Sequence, residues 1–454
     1  MKIIIVGAGE VGYHIASRLA YEDKNVVVID KNAEAVKRVS DNLDVQVLAA
    51  SGSSPKVLEK AGIKEAEILL AVTDSDEANL VACLVANMLS PATKKLARLR
   101  NSDYDPYHPT FSIEAPHIDT VINPEIEVVK TITRLMKVPG AVDVNEFAGG
   151  RVKLVGIKID EKSPLAGLQL SDFVSRFGEE RPLIAAVIRK GDLIIPRGSN
   201  QVKVGDVVYF ISESEKLEKT IGVFDKKVRP LKRVMIVGGG RIGFRLAQSL
   251  EKESVHIKMV ESDLDRCAEL SENMQKAIVL HGDGSDQKIM MEENIADCDA
   301  VVALTNDEET NILVSLLAKS LGAHSTITKV SKFGYFSLMS TIGLHKVVSP
   351  RLSAINSILQ EIRKGKVLSA ASVFGEDAEV IEAVALETSR IVGRPLKKIS
   401  FPKGAILICI ITDDEIIIPT GESVVSPNDR VIIFAKRQAV KKLENMLTVK
   451  LRFF

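Results

Sequence analysis

The chain has no excess of either charge: 60 Lys and Arg stand against 60 Asp and Glu in 454 residues. A protein built to hold nucleic acid usually carries a basic stripe, so this balance argues against a nucleic-acid partner, although a local patch remains compatible with it. Cysteine is scarce. Cys83, Cys267, Cys298 and Cys409 lie far apart with no CxxC pair, so buried free thiols in a reducing cytosol are expected. No stretch of about 18 apolar residues occurs, so no bilayer-spanning helix is expected. The first strand-like run, Lys2-Ile3-Ile4-Ile5-Val6, starts at once, so no signal peptide is expected. The expectation is a soluble protein that reaches a membrane only through a partner.

Catalytic patterns are missing too. His14, His108, His117, His256, His281, His324 and His345 are scattered without metal-ligand spacing, and GxSxG, GxxxxGKS/T and HExxH are absent. The acidic run Glu376-Asp377-Ala378-Glu379 reads as a solvated turn rather than a cation site. No acid/base pair sits beside a dedicated substrate domain, so the chain is not expected to be an enzyme.

What the sequence does contain is a duplication. The first copy reads Ile3-Ile4-Ile5-Val6-Gly7-Ala8-Gly9-Glu10-Val11-Gly12, then Val26-Val27-Val28-Ile29-Asp30. The second reads Val234-Met235-Ile236-Val237-Gly238-Gly239-Gly240-Arg241-Ile242-Gly243, then Ile257-Lys258-Met259-Val260-Glu261. In both, the acid follows the third glycine by 18 residues. One GxGxxG is weak evidence; two in register, each between an apolar run and a helical pattern, are strong. An enzyme needs one cofactor site beside a catalytic domain, whereas a repeated plan points to a ligand-sensing assembly.

Strand and helix patterns alternate from the start. Strands are expected at 3–6, 26–29, 45–49, 68–72 and 95–99, and helices at 9–20, 33–40, 55–61 and 76–89, with Ser54 as an N-cap before Pro55. This predicts a doubly wound, Rossmann-like parallel-sheet domain of the α/β class. Gly7 aligns with Gly238, Asp30 with Glu261 and Ser53 with Gly284 at an offset of 231; Asn79 aligns with Asn311 at 232. Two smaller segments also match: Leu183–Ile188, the turn Lys190-Gly191-Asp192 and Gly205–Phe210 correspond to Ala405–Ile411, Asp413-Asp414-Glu415 and Asn428–Phe434. They read as small α+β modules. A chain this long exceeds the roughly 250–300 residues of a single core. The expected domains are 1–140, 141–225, 231–366 and 367–454, with the halves joined by Asp225-Lys226-Lys227-Val228-Arg229-Pro230.

The glycine roles follow from sterics. Gly7 and Gly238 permit the tight turn, Gly9 and Gly240 admit a pyrophosphate, and Gly12 and Gly243 let helix close on strand. The helix N-terminus offers N–H donors to phosphate. Asp30 and Glu261 can accept ribose hydroxyls and would repel a 2′-phosphate, favouring NAD or ATP/ADP over NADP. Arg241 replaces Glu10 beside the phosphates, so the first site is expected to prefer a dinucleotide and the second to tolerate or prefer ATP or ADP; the other reading is that both side chains point to water. Thr73 with Asp74, and Thr305 with Asn306, end the fourth strands and should line the clefts. Arg98, Arg100 and Lys329 are candidate phosphate or subunit contacts; solvated structural charges are the other reading.

Together with Val72–Asn79, Ala97-Arg98-Leu99-Arg100, Ile122-Asn123-Pro124-Glu125, Arg134-Leu135, Pro139-Gly140-Ala141, Ser349-Pro350-Arg351 and Ile362-Arg363-Lys364-Gly365, these residues resemble the TrkA family of Trk-type potassium-uptake regulators, tandem arrays of two RCK units. The resemblance implies a cytoplasmic ring, peripheral on the inner face of the membrane, that gates a membrane potassium-translocating subunit of the Trk type. It implies NAD or NADH, and ATP or ADP, in the clefts, and a homotetramer presenting eight Rossmann units. By position it implies a first site of Gly7, Gly9, Glu10, Val11, Gly12, Asp30, Lys31, Thr73, Asp74 and Arg98. The second would be Gly238, Gly240, Arg241, Ile242, Gly243, Glu261, Asp283 and Thr305. The family's Gly-Asp after the third strand stands as Gly282-Asp283 in the second half but reads Ser51-Gly52 in the first. Two other classes fit the sequence less well. An NAD-dependent oxidoreductase lacks residues to carry hydride transfer, and a soluble NADH/NAD redox sensor acting on DNA lacks a basic helix pair.

Overall fold

The apolar runs at the start of each half become the middle strands of parallel sheets, where covering on both faces demands unbroken hydrophobicity. The computed structural model describes residues 1–178, 181–196, 198–226, 230–363, 368–373, 378–412 and 415–447. The chain divides into two units: Met1–Glu127 with Pro350–Arg363, and Val128–Ser349 with the described residues from 368 onward.

In the first unit the strands are β1 (Lys2–Val6), β2 (Asn25–Asp30), β3 (Gln46–Ala49), β4 (Ile68–Ala71), β5 (Lys94–Arg98) and β6 (Thr120–Ile122). They form one sheet in the order β3-β2-β1-β4-β5-β6, every neighbouring pair parallel. The order reverses between β1 and β4, which places a ligand crevice beyond their carboxyl ends. The helices are α1 (Glu10–Tyr21), α2 (Ala33–Asn42), α3 (Pro55–Lys60), α4 (Asp76–Leu89), α5 (His108–Ile113) and the start of α6 (Pro124–Lys137). Ser54 stands at the N-cap of α3, but its side chain makes no capping bond; Asn32 and Ser75 do cap α2 and α4.

From Val128 onward α6 belongs to the second unit, where Val128, Val129, Ile132 and Leu135 share a buried cluster with Leu246, Ala247 and Leu250. A small antiparallel sheet follows, built from β7 (Ala141–Phe147), β8 (Val152–Lys158), β9 (Leu183–Arg189), β10 (Asp192–Ile194) and β11 (Val207–Glu213), with α7 (Phe173–Phe177) and α8 (Leu217–Gly222). The expected turn at Lys190-Gly191 is present, with φ of 50° and 87°, the positive-φ pair that a tight hairpin needs.

The second Rossmann sheet comprises β12 (Arg233–Val237), β13 (His256–Glu261), β14 (Ile278–His281), β15 (Ala300–Ala303), β16 (Thr326–Lys329) and β17 (Val347–Val348), with α9 (Arg241–Glu251), α10 (Leu264–Asn273), α11 (Gln287–Glu292), α12 (Glu308–Ser320) and α13 (Phe336–Thr341). Its order, β14-β13-β12-β15-β16-β17, repeats the first. The helix that follows, α14 (Pro350–Arg363), belongs to the first unit and packs on α1. There Lys94 Nζ donates to the backbone carbonyl of Glu361 at 3.0 Å and pairs with its carboxylate at 3.2 Å. The last helix after each Rossmann sheet is thus assigned to the unit holding the other sheet.

The chain ends in a second antiparallel sheet of β18 (Ser369–Val373), β19 (Ala378–Val384), β20 (Ala405–Ile411), β21 (Ile416–Ile417) and β22 (Arg430–Lys436), covered by α15 (Arg437–Leu447). The orders β10-β9-β11-β8-β7 and β18-β19-β22-β20-β21 describe the same topology. One face of each small sheet enters a shared core, with Phe147, Leu154, Ala186 and Ile211 beside Val380, Ile408, Ile432 and Phe434. Lys227, Val228 and Arg229 of the link, Lys364-Gly365, Glu376-Asp377 and Asp413-Asp414 lie outside the described residues. Glu379, from the acidic run, is buried on β19.

Candidate nucleotide-binding sites

In the first cleft the three glycines do different work. Gly7 has φ of 111°, and a Cβ there would lie 2.9 Å from the backbone nitrogen of Thr73 on the neighbouring strand end. A Cβ on Gly12 would lie 1.9 Å from the carbonyl oxygen of Gly7. Gly9 has nothing within 4 Å of its Cβ position and N-caps α1 with no side-chain cap. The helix N-terminus therefore faces open space with its N–H groups and positive dipole end, as phosphate binding requires. The second cleft repeats this. Gly238 has φ of 103°, a Cβ on Gly243 would lie 2.0 Å from the Gly238 carbonyl oxygen, and Gly240 is open. Val11 and Ile242 are buried against their sheets, so any contact they make with a ligand is through backbone.

The acids at the ends of β2 and β13 brace these loops. Asp30 accepts the N–H of Ala8 at 2.6 Å on one oxygen and that of Asn32 at 2.8 Å on the other. Glu261 accepts the N–H of Gly239 at 2.7 Å, and its second oxygen takes those of Ser262 at 2.7 Å and Asp263 at 3.0 Å. Each carboxylate oxygen has two lone pairs, so acceptor capacity remains for a ribose. Lys31, next along, is exposed.

Thr73 and Thr305 are fixed by a residue that motif reading used only as an alignment marker. Asn79, fully buried, accepts from the Thr73 N–H at 2.9 Å and hydroxyl at 2.7 Å, and donates to the carbonyls of Thr73 and Arg98. Asn311 does the same for Thr305 at 2.8 Å and 2.8 Å and donates to the Lys329 carbonyl. The signal was present: both copies hold Asn six residues after Thr. Arg98 is buried and donates to the Thr73 carbonyl and to Asp74, both at 2.8 Å. Burial pushes its guanidinium pKa down, and the Asp74 bond opposes that. Arg100 donates to the Asp74 carbonyl, and Asp76 accepts the backbone N–H of Arg100 and Asn101. Arg98 and Arg100 thus tie the Thr73-Asp74 segment to the end of β5.

The two loops have different surroundings at Glu10 and Arg241. Glu10 is bound by Arg38, whose guanidinium lies 4.0 Å from the Tyr13 ring centroid, and that hydrogen bond holds the Glu10 carboxyl below its ordinary range. Arg241 is exposed beside the second loop. Arg266 stacks near the Phe244 ring and donates to the Gly239 carbonyl at 2.9 Å.

The structure also corrects the alignment after the third strand. Cβ atoms on Gly52 and Gly284 would strike the matching Val6 and Val237, and Ala50 and Gly282 donate to the carbonyls of Asp30 and Glu261. Ala50-Ser51 therefore occupies the place of Gly282-Asp283, because the one-residue insertion lies earlier, between α10 and β14. Asp283, exposed, accepts the N–H and hydroxyl of Ser285, which lower its pKa; Ser51 takes the same N–H position weakly, at 3.4 Å. The first cleft still lacks that carboxylate.

Among the described residues there is no cluster of metal-ligating side chains. All four cysteines are buried and free, and burial pushes Cys83 and Cys409 up to about 12, far from thiolate reactivity. No described helix is long and apolar enough to cross a membrane.

Two unequal dinucleotide-fold clefts, each followed by a small antiparallel module, define a tandem RCK protein. Residues 3–124 and 234–350 match the TrkA-N domain, and 154–224 and 380–448 match the TrkA-C domain. The chain is 38% identical over 458 residues to the Trk system potassium uptake protein TrkA of Azorhizobium caulinodans, covering 100% of both chains. It is 36% identical to that of Haemophilus influenzae, covering 98% of each. The chain belongs to the TrkA family of Trk-system potassium uptake proteins, a family of potassium transport rather than of catalysis. Among solved structures it resembles the GsuK channel bound to NAD, with a TM-score of 0.60 at 17% identity over 98% of this chain and 78% of that one. The isolated GsuK RCK domain gives the same TM-score and 17% identity, with 98% and 94% covered.

Proposed function

We propose that this chain is the cytoplasmic, nucleotide-sensing regulatory subunit of a Trk-type potassium uptake system. NAD or NADH, and ATP or ADP, occupy the two clefts, and their exchange changes the shape of an RCK ring that gates the membrane potassium-translocating subunit. Four chains would supply the ring's eight Rossmann units and sit peripherally on the inner face of the membrane through that partner. The proposed domains are 1–140, 141–225, 231–366 and 367–454.

The observation that carries this reading is the pairing of two clefts alike in loop and brace but unlike in charge: Glu10 with Arg38 and Ser51 in one, Arg241 and Asp283 in the other. A ligand shifts a conformational equilibrium only by its differential affinity for the two states, so unlike clefts let different nucleotides push in different directions. The GsuK structure solved with NAD supports a dinucleotide in such a cleft. The test is potassium flux into liposomes carrying a Trk-type membrane subunit, with this protein added under NADH, NAD, ATP and ADP. Flux should depend on which nucleotide is present; flux indifferent to all four would overturn the reading.

A further inference from the structure

Away from both glycine loops, cationic side chains converge on the loop that precedes β17. Lys319, near the end of α12, donates from Nζ to the carbonyl of Gly343 at 3.0 Å. Lys158, the last residue of β8, places Nζ 2.8 Å from Nε2 of His345. An ammonium can only donate, so Nε2 accepts and the imidazole is neutral with its proton on Nδ1. The environment agrees: burial first, then the charges of Lys158 and Lys319, push His345 down to about 4. Lys158 is itself lowered by burial and by Lys319, and Lys346, next along the loop, is pushed down to about 8 by burial.

The group is therefore rich in donors and poor in acceptors. Each ammonium has three N–H groups and uses one here. Among the described residues the polar partners of these lysines are the His345 ring and the Gly343 carbonyl, not a carboxylate. Like charges repel unless an anion joins them, and here the exposed Lys319 adds its charge to the half-buried Lys158 beside His345. A carboxylate offers two acceptor oxygens, whereas a phosphoryl group offers three or more and more charge, which suits two ammonium groups with N–H donors to spare.

We propose that Lys158, Lys319 and His345 form a binding site for a phosphate-type oxyanion. The site is distinct from the nucleotide clefts, because the end of α12 and the start of β17 lie at the amino edge of the parallel sheet and the clefts lie at its carboxyl edge. A phosphate here would link β8 of the first small module to the second Rossmann sheet, both within one unit. Free phosphate compounds and phospholipid headgroups share this chemistry.

The test follows the His345 imidazole of the full-length protein by NMR through a pH titration, at constant ionic strength, with and without inorganic phosphate. His345→Gln assigns the resonance. Phosphate should raise the His345 midpoint by about one unit, a tenfold shift in the proton equilibrium. Lys158→Gln or Lys319→Gln should each shrink that shift, so one folded variant suffices. A midpoint unmoved by both free phosphate and phosphatidylglycerol vesicles, or moved equally by acetate, would overturn the proposal. Phosphatidylglycerol vesicles form the second arm: a shift with vesicles but not free phosphate assigns the site to a lipid headgroup, and a shift with free phosphate alone assigns it to a soluble oxyanion. Nucleotide binding in the clefts is read separately, so loss of one does not mimic loss of the other.

Discussion

Asp30 accepts the backbone N–H of Ala8 at 2.6 Å, and that bond joins the end of β2 to the middle of the Gly7–Gly12 loop, the two places proposed to meet ribose and phosphate. The carboxylate serves the loop before any ligand arrives. Replacing it with alanine removes the ribose acceptor and leaves two partly exposed N–H groups to water. Asp30→Ala should weaken NADH binding by about tenfold or more, from losing hydrogen bonds to a charged group, while lowering stability by only about 1 kcal/mol. Calorimetric titration beside a thermal melt checks both; unchanged affinity would refute the ribose role.

Gly9 and Gly12 should respond oppositely to a single methyl group. At Gly12 the new Cβ meets the Gly7 carbonyl at 1.9 Å, so Gly12→Ala should destabilise the fold by about 1–3 kcal/mol. At Gly9 the Cβ position is open in the protein but lies where phosphate would approach. Gly9→Ala should leave the melting temperature nearly unchanged and reduce nucleotide affinity. Melting curves that rank the two variants the other way would contradict these assignments.

Arg241 is the charge that sets the second cleft apart. Its removal should weaken ATP binding about five- to tenfold, roughly 1–1.4 kcal/mol, and leave NADH binding at the first cleft intact. Equal ATP affinity for Arg241→Ala and the unaltered protein would show that this guanidinium faces water.

Asp143 gives a pH signature outside the clefts. Desolvation raises its carboxyl to about 6, against hydrogen bonds from Tyr209 at 3.2 Å and Asn145 at 3.1 Å. A native pKa above the unfolded one means stability is fullest below about pH 4 and is lost as pH rises through 6. Asp143→Asn keeps the shape and removes the charge. It should raise the melting temperature at pH 8 and lose that advantage near pH 4; a pH-independent effect would sink the argument.

The parallel sheets were legible because their strands are buried on both faces and so written as unbroken apolar runs, and because Gly7, Gly9 and Gly12 are each required by a specific contact or opening. Strand ends moved by a residue, as with β4 ending at Ala71 rather than Val72, since hydrophobicity does not mark the last ladder bond. The destination of α14 was not legible. An amphipathic pattern says that a helix buries one face, but Lys94 and Thr120, which receive Glu361, are set by three-dimensional pairing alone. The insertion was misplaced for a related reason: glycines at 52 and 284 differ from their neighbours only in what they nearly touch. Asn79 escaped notice because a buried polar keystone has no spacing signature within one copy, although the duplication exposes it.

The central claim is that one chain carries two nucleotide sites of unequal preference. Calorimetric titration of the full-length protein with NADH and with ATP, together with its mass in solution, tests this most directly. The account predicts close to two nucleotides per chain in an assembly of four chains, with ATP and NADH competing unequally at the two clefts. Absence of binding by either nucleotide would contradict it and leave the doubled fold a scaffold.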